Sequence, residues 1–187
     1  MEAIDLLLSR DSALKLEAPG PSAAELDQIL QAAVRAPDHG RLRPWRFVVI
    51  EADKRARFGE VLADSMRRKM PDAAPEMLQR ERDKAMRAPV IVVVAAHVNK
   101  GARIPAIEQL SAVAAATQNL MLAAPAKGFG AMWKTGDAAY DPQVRQELGL
   151  EADDEIIGFL YIGTRAGGAS PPERIAKAQD YVSVWAG

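Results

Sequence analysis

The residues best suited to chemistry are gathered in the loop 35–46, which reads Arg35-Ala36-Pro37-Asp38-His39-Gly40-Arg41-Leu42-Arg43-Pro44-Trp45-Arg46. Its two prolines and its glycine rule out a continuous helix or strand, so four arginines and a histidine are displayed on a constrained turn. Arginine forks match phosphate or carboxylate oxygens in pairs, and Trp45 suits stacking on a planar ring. The loop therefore predicts an anionic ligand, although a solvated basic turn paired with nearby acids explains it equally well.

Two further segments carry weaker signals. Gly128-Phe129-Gly130-Ala131-Met132-Trp133 begins like a dinucleotide-binding fingerprint, but it lacks the third glycine and follows a predicted helix instead of a strand. We therefore predict a helix C-cap at Gly128 and a close backbone approach at Gly130. Arg10-Asp11-Ser12 closes the first predicted helix, where an arginine also suits the negative end of the helix dipole.

Metal and nucleophile chemistry find little support in the sequence. His39 and His97 are the only histidines, the acids show no spacing typical of metal ligands, and no serine lies in a nucleophile elbow. The absence of cysteine excludes thiolate metal sites, iron–sulfur clusters and thiol nucleophiles. Redox chemistry in this chain would therefore need a borrowed cofactor.

Length and charge narrow the class of protein. The 187 residues, 49% of them hydrophobic, predict one domain over residues 1–187, and a net charge of −1 argues against binding nucleic acid or anionic membranes through bulk charge. The first ten residues carry acids where a secretory signal carries positive charges, and their apolar run is too short to span a membrane. We therefore expect a cytoplasmic location.

Hydrophobic spacing and turn signals predict the elements that must position these residues. Helices are expected at 2–9, 22–36, 54–69, 76–87, 104–124 and 142–148, and strands at 46–51, 89–96, 129–134 and 156–163. The strand 89–96 is apolar on both faces, which places it centrally in a sheet. Ser22 with Glu25 forms a capping-box start, and Pro125 should end or kink the helix before it.

Two segments indicate a second subunit. The helix 104–124 is apolar nearly all round, and a domain of this size has little interior to surround it, so homodimer packing is the simpler explanation. The tail 166–187 contains a weak amphipathic stretch at 173–180 and then the apolar residues Tyr181 to Trp185. This arm is expected to lie either on a partner subunit or on its own domain.

Four segments in chain order resemble the FMN-dependent nitroreductase family, and within it a compact NAD(P)H nitroreductase branch. They are Arg10-Asp11-Ser12, the loop Arg35–His39 with Arg43–Arg46, Gly128–Lys134 and Ile157–Gly163. The resemblance implies an α+β sandwich with a central, mostly antiparallel sheet surrounded by helices. It also implies an intertwined homodimer that holds two FMN molecules at its interface.

The resemblance also assigns residues to ligands. FMN contacts drawn from both subunits are implied for Arg10, Asp11, Ser12, Arg35, His39, Trp133, Lys134 and Thr135. The nicotinamide nucleotide is assigned to Ala123, Ala124, Pro125, Ala126, Lys127 and Gly128. No catalytic side chain and no metal are implied, because flavin N5 carries the chemistry.

The activity implied is hydride transfer from NADH or NADPH through FMN to a small, planar, electron-poor acceptor such as a nitroaromatic or a quinone. Two alternatives stay open: a non-enzymatic flavin or small-anion binding protein on the same fold, and a specialised member acting on another metabolite. Asp11, Arg43 and Pro125 depart from the family pattern. An acid beside a phosphate is unfavourable unless it pairs with a cation or turns away.

Overall fold

A computed structural model describes residues 2–168 and 176–187 of the chain. Its centre is a five-stranded antiparallel sheet made of β1 (Leu16–Glu17), β2 (Trp45–Glu51), β3 (Val90–His97), β4 (Gly130–Lys134) and β5 (Asp154–Arg165). The long strand β5 pairs with β3 on one side and with both β4 and β1 on the other, and β2 completes the far edge beside β3. The predicted α+β class and antiparallel sheet are confirmed.

Six α-helices surround the sheet in the described residues. They are α1 (Ala3–Leu8), α2 (Ala23–Ala33), α3 (Lys54–Lys69), α4 (Pro75–Lys84), α5 (Ala106–Ala126) and α6 (Pro142–Glu147). Short 3-10 turns cover His39–Arg41, Asp137–Tyr140, Ala166–Gly168 and Ala178–Tyr181. Except for β1, which the sequence does not indicate, every strand and helix falls where it was predicted, with boundaries shifted by a few residues.

The core lies in two layers, one on each face of the sheet. Residues 90–96 of β3 are all buried and alternate between the layers, as expected for a central strand. Ile91 and Val93 face a cluster that contains Phe58 and Leu62 of α3, while Val92 and Val94 face one that contains residues of α2 and α5. The result is a helix–sheet–helix sandwich.

The long helix α5 ends close to the predicted point. Pro125 lies in its last turn and has no backbone N–H to donate to the carbonyl four residues earlier, so the helix stops at Ala126. Gly128 follows with φ +88, and its N–H donates to the Pro125 carbonyl at 2.9 Å. Lys127 is thus the C-cap residue, and the glycine predicted as the C-cap lies one position beyond it in the left-handed conformation that ends the helix.

Apolar side chains at both ends of the described chain are uncovered. On α1, Leu8 is 81% exposed, and in the tail Trp185 is 91% exposed. Of the stretch predicted at 173–180, residues 173–175 lie outside the described residues, and 178–181 form a 3-10 turn. Residues 181–185 find no covering surface on their own domain among the residues described.

Candidate functional site

The arginine loop is held in a strained conformation by Asp38. Its carboxylate accepts a hydrogen bond from the backbone N–H of Arg43 at 2.7 Å, and its carbonyl accepts one from Arg41. Arg41 and Arg43 have φ of 54° and 51°, a left-handed conformation that costs a side-chain-bearing residue about 1 kcal/mol or more. Strain of this kind is found at ligand sites, and it makes this loop a candidate binding element.

Arg35 and His39 lie beside different parts of α5. The last turn of α2 is tied to α5 by Asn119, whose side-chain amide donates to the Ala32 carbonyl at 3.1 Å, and Arg35 follows directly with an exposed side chain. His39 Nδ1 lies 2.6 Å from the Glu108 carboxylate in the first turn of α5. Glu108 is a contact that the sequence pattern gave no reason to expect.

The segment Arg10-Asp11-Ser12 lies beside the edge strand β4. Ala13, which follows it, donates its N–H to the Ala131 carbonyl at 2.9 Å. Asp11 accepts two hydrogen bonds from the guanidinium of Arg165, at 2.5 and 2.9 Å. The Asp11 charge is therefore balanced within its own chain, which removes the expected conflict with a phosphate.

Trp133 is fixed against β5 because its neighbour there is a glycine. The indole Nε1 donates to the Ile157 carbonyl at 3.2 Å, and a Cβ on Gly158 would lie 2.2 Å from the same nitrogen. The half-buried ring thus fits only above a residue without a side chain. Gly158 belonged to the segment that carried the family resemblance, but its role shows only in three dimensions.

Lys134 lines a shallow surface groove together with two basic residues that no sequence motif indicated. Lys15, just before β1, and Arg87, just after α4, line the groove with Lys134 over an apolar floor. Neither forms a recognisable motif, since the two lie 72 residues apart and meet only through the fold. Thr135 lines a different cavity of about 50 Å³ beneath the sheet, which is too small for a ring system.

Cations at the predicted cofactor positions are free to meet an anion. The ion pairs among the described residues involve many of the chain's basic side chains, but none involves Arg10, Arg35 or Lys134. Lys134 and Trp133 are consecutive residues of β4 and lie on opposite faces of the strand, Lys134 with Met132 at the groove and Trp133 with the layer that contains α5. The cations Arg10 and Lys134 and the Ser12 hydroxyl are groups that can bind a phosphate monoester.

One chain does not bring all predicted cofactor residues together. His39 meets α5 at Glu108, whereas the segment 10–12 adjoins β4, which begins just after α5 ends. The 16 residues of α5 between Glu108 and Ala124 span about 24 Å at 1.5 Å per residue. The predicted residues therefore form two groups, the loop residues Arg35 and His39 and the residues around β4, and about 24 Å of helix separates His39 from the second group.

The segment predicted for the nicotinamide nucleotide is the C-terminal turn of α5. Ala124 is fully buried, Ala123 and Pro125 are half-buried, and Ala126, Lys127 and Gly128 are exposed. A helix C-terminus carries partial negative charge and repels phosphate. Nucleotide binding at this segment would therefore depend on the Lys127 ammonium group.

Residues 2–168 and 176–187 meet the requirements of neither a metal site nor a membrane-spanning helix. Their histidines and acids nowhere come together in a group of three or more that could hold a metal ion. Their helices likewise include none with both the length and the apolar character needed to cross a membrane.

Comparison with known proteins gives consistent matches. The model of the nitroreductase family matches residues 7–164. An Escherichia coli K12 protein named "Putative NAD(P)H nitroreductase YdjA" is 38% identical over 164 residues, covering 88% of each chain. A Haemophilus influenzae protein named "Putative NAD(P)H nitroreductase" is 34% identical over 184 residues, covering 98% of this chain and 99% of its own.

Solved structures share the fold. A nitroreductase-like family protein from Bacillus cereus superposes with a TM-score of 0.83 at 22% identity, covering 100% of this chain and 97% of its own. A Desulfovibrio desulfuricans protein described as a "putative nitroreductase in complex with fmn" superposes with a TM-score of 0.74 at 23% identity, covering 96% of this chain and 94% of its own. The sandwich described above is thus the fold of those proteins.

Proposed function

We propose that this chain, which belongs to the nitroreductase family, is an FMN-dependent oxidoreductase. It takes hydride from NADH or NADPH and passes it through the flavin to a small, planar, electron-poor acceptor such as a nitroaromatic or a quinone. The observation that carries this proposal is that Arg10, Arg35 and Lys134 form no ion pair with any described residue. These cations stand where the family resemblance puts FMN.

The residues around β4 fit the phosphate end of FMN. Arg10 and Lys134 supply positive charge, and the Ser12 hydroxyl supplies a hydrogen-bond donor. Asp11 does not oppose an anion there because Arg165 already balances its charge. The family resemblance also assigns Trp133 and Thr135 to FMN: the half-buried indole offers a flat apolar surface on the opposite face of β4 from Lys134, and Thr135 lines the separate small cavity.

Arg35 and His39 fit the ring end. When bound, FMN supplies the group that accepts and releases hydride. A cation beside the pyrimidine edge of the ring stabilises the negative charge that accumulates on reduction, and Arg35 or His39 can occupy that position. The protein then contributes charge and geometry, which is consistent with a chain that has few histidines and no cysteine.

We assign the two groups of residues to one FMN site through an intertwined homodimer. Because about 24 Å of α5 separates His39 from the β4 region within one chain, the loop that carries Arg35 and His39 would serve the FMN held by the β4 region of the partner subunit. Exposed apolar side chains supply surface for such an association: Leu7 and Leu8 on α1, Ile107 on α5, and Tyr181 and Trp185 in the tail. Each subunit is one domain of residues 1–187 with 166–187 as an arm on its partner.

The segment Ala123–Gly128 is assigned to the incoming nicotinamide nucleotide, with Lys127 as its main electrostatic contact. The acceptor then occupies the same stacking position after the nucleotide leaves. An open stacking site accepts many flat molecules, so the natural acceptor is to be found by profiling substrates rather than from the shape of the site.

The absorption spectrum of the purified protein tests the cofactor claim. Flavin bands, or quenching of added FMN fluorescence, are expected. A protein that stays colourless after FMN is supplied, without quenching, would overturn the proposal. Steady-state oxidation of NADH or NADPH with menadione or nitrofurazone tests turnover, and bound FMN without turnover would favour a flavin-binding protein. Size measurement at micromolar concentration tests the dimer.

A further inference from the structure

The tip of the arginine loop rests directly on the segment that leads into α5. Gly40 has φ +74, and a Cβ on it would lie 3.2 Å from Cγ1 of Ile104. Glycine therefore serves two needs at this point, a left-handed backbone and a close approach to Ile104. The contact fixes how far His39, the preceding residue, lies from α5.

Ile104 is itself held in place by a buried amide. Gln109 is 2% exposed, and its side-chain nitrogen donates to the carbonyls of Ile104 at 2.9 Å and Asn99 at 3.1 Å. Its side-chain oxygen accepts the Asn99 N–H at 2.8 Å. All three bonds clamp residues 99–104 onto the first turns of α5, so the surface under the loop is rigid.

His39 and Glu108 complete this arrangement. The distance between Nδ1 of His39 and Oε2 of Glu108 is 2.6 Å, and the two side chains are 64% and 45% exposed. An ion pair this exposed contributes little to stability. Its structural effect is different: the carboxylate occupies Nδ1 and leaves Nε2 as the ring nitrogen available to a ligand.

We propose that Glu108 is a positioning residue that acts through His39. It accepts the Nδ1–H, fixes the ring orientation and presents Nε2 outward, towards the flavin that the partner subunit binds. This inference rests on the proposed function, since it needs FMN as the group that His39 meets. A ring held in place before binding loses less conformational freedom when the cofactor arrives, so FMN binds more tightly.

A double-mutant cycle tests the proposal by FMN dissociation constants. His39→Ala and Glu108→Ala are each expected to weaken FMN binding about three- to ten-fold, the range for one side chain ordered in advance. The double variant should bind no more weakly than His39→Ala alone, because Glu108 acts only through the ring. Additive losses, or a Glu108→Ala variant within the error of the unsubstituted protein, would overturn the proposal.

Two further variants separate positioning from general damage. Glu108→Gln keeps an oxygen that accepts the Nδ1–H and should retain most of the affinity; a loss as large as that of Glu108→Ala would count against positioning. Glu60→Ala is the matched control, because Glu60 is 48% exposed and pairs with Arg82 at 2.8 Å far along the chain from the loop. It should leave FMN binding unchanged.

A measurement on the cofactor-free protein keeps this inference separable from the proposed function. At a pH where the ring is neutral, imidazole nitrogen NMR of His39 should show the proton on Nδ1, and Glu108→Ala should move population to Nε2. Identical ring signals in both proteins would overturn the pairing. If the ring signals respond but no FMN binds to the unsubstituted protein, the proposed function fails while the His39–Glu108 contact stands.

Discussion

Asp11 and Arg165 are joined by two hydrogen bonds, from Nη2 to Oδ1 at 2.5 Å and from Nη1 to Oδ2 at 2.9 Å, although 154 residues separate them. Their side chains are 12% and 28% exposed. The pair fastens the segment before β1 to the end of β5 and leaves Arg10 and Ser12 without competition from an acid. Asp11 is therefore a structural residue placed within a binding segment.

Substitution of Asp11 by arginine should lower the free energy of unfolding. The change leaves the partly buried Arg165 charge unpaired and adds a second cation beside it. We expect a loss of roughly 1–3 kcal/mol in the free energy of unfolding, measured by urea titration. Asp5→Arg, at an exposed site on α1, is the control. An unchanged urea midpoint for Asp11→Arg would contradict the structural role.

Removal of a phosphate-binding cation should weaken the binding of FMN and leave the binding of riboflavin almost unchanged. Arg10→Ala and Lys134→Ala each delete a charged donor, which corresponds to about 10- to 100-fold in the FMN dissociation constant. Riboflavin lacks the phosphate, so its weaker binding should change little. Arg80→Ala, an exposed arginine of α4 outside the ion pairs described above, is the matched control. Unchanged FMN affinity in both variants would place the phosphate elsewhere.

The parts of the fold that could be predicted are those that depend on local sequence patterns. The Ser22–Glu25 capping box starts α2 as expected, with the Ser22 side chain accepting from Glu25. The doubly apolar run of β3 predicted its central place, and Gly128 predicted the end of α5. Each of these signals depends on residues a few positions apart.

The parts that were missed depend on contacts between distant residues. Nothing near Glu108 in sequence indicates that it meets His39, 69 positions away. The two residues of β1 form a strand only because Arg165 and its neighbour offer an open edge of β5. The groove cations Lys15 and Arg87 likewise meet only after folding. The candidate site was therefore predictable where motifs carry it and not where tertiary packing completes it.

Gly158→Ala should disturb the Trp133 side of the site. The added Cβ would lie 2.2 Å from the indole Nε1 and 2.8 Å from the Lys134 carbonyl, so the ring must leave its bond to Ile157. Overpacking of this kind costs about 1–3 kcal/mol, measurable as a lower thermal midpoint together with weaker FMN binding. Gly101→Ala, where the nearest heavy atom lies 3.4 Å away, should show neither change.

Asp141 links α3 to α6 through charge. It is the N-cap of α6, where its carboxylate accepts the Gln143 N–H at 2.8 Å, and it accepts a hydrogen bond from Arg68 at 2.7 Å. Burial opposes ionisation of Asp141, but hydrogen bonds from Ser65, Arg68 and the Gln143 N–H outweigh burial and lower its pKa. The ionised carboxylate is therefore the form that stabilises the fold.

The contribution of Asp141 to stability should consequently disappear in acid. Because its folded pKa lies below the unfolded value of about 4, the stabilisation is complete above that value and is lost as the pH falls through the folded pKa. Asp141→Asn keeps the cap acceptor and removes the charge, so it should cost about 1 kcal/mol at pH 7 and progressively less towards pH 3. Urea titrations across this range test the trend, with Asp27→Asn on α2 correcting for the loss of one exposed acid. A gap between Asp141→Asn and the unsubstituted protein that stays constant down to pH 3 would show that the Arg68 pairing does not stabilise the fold.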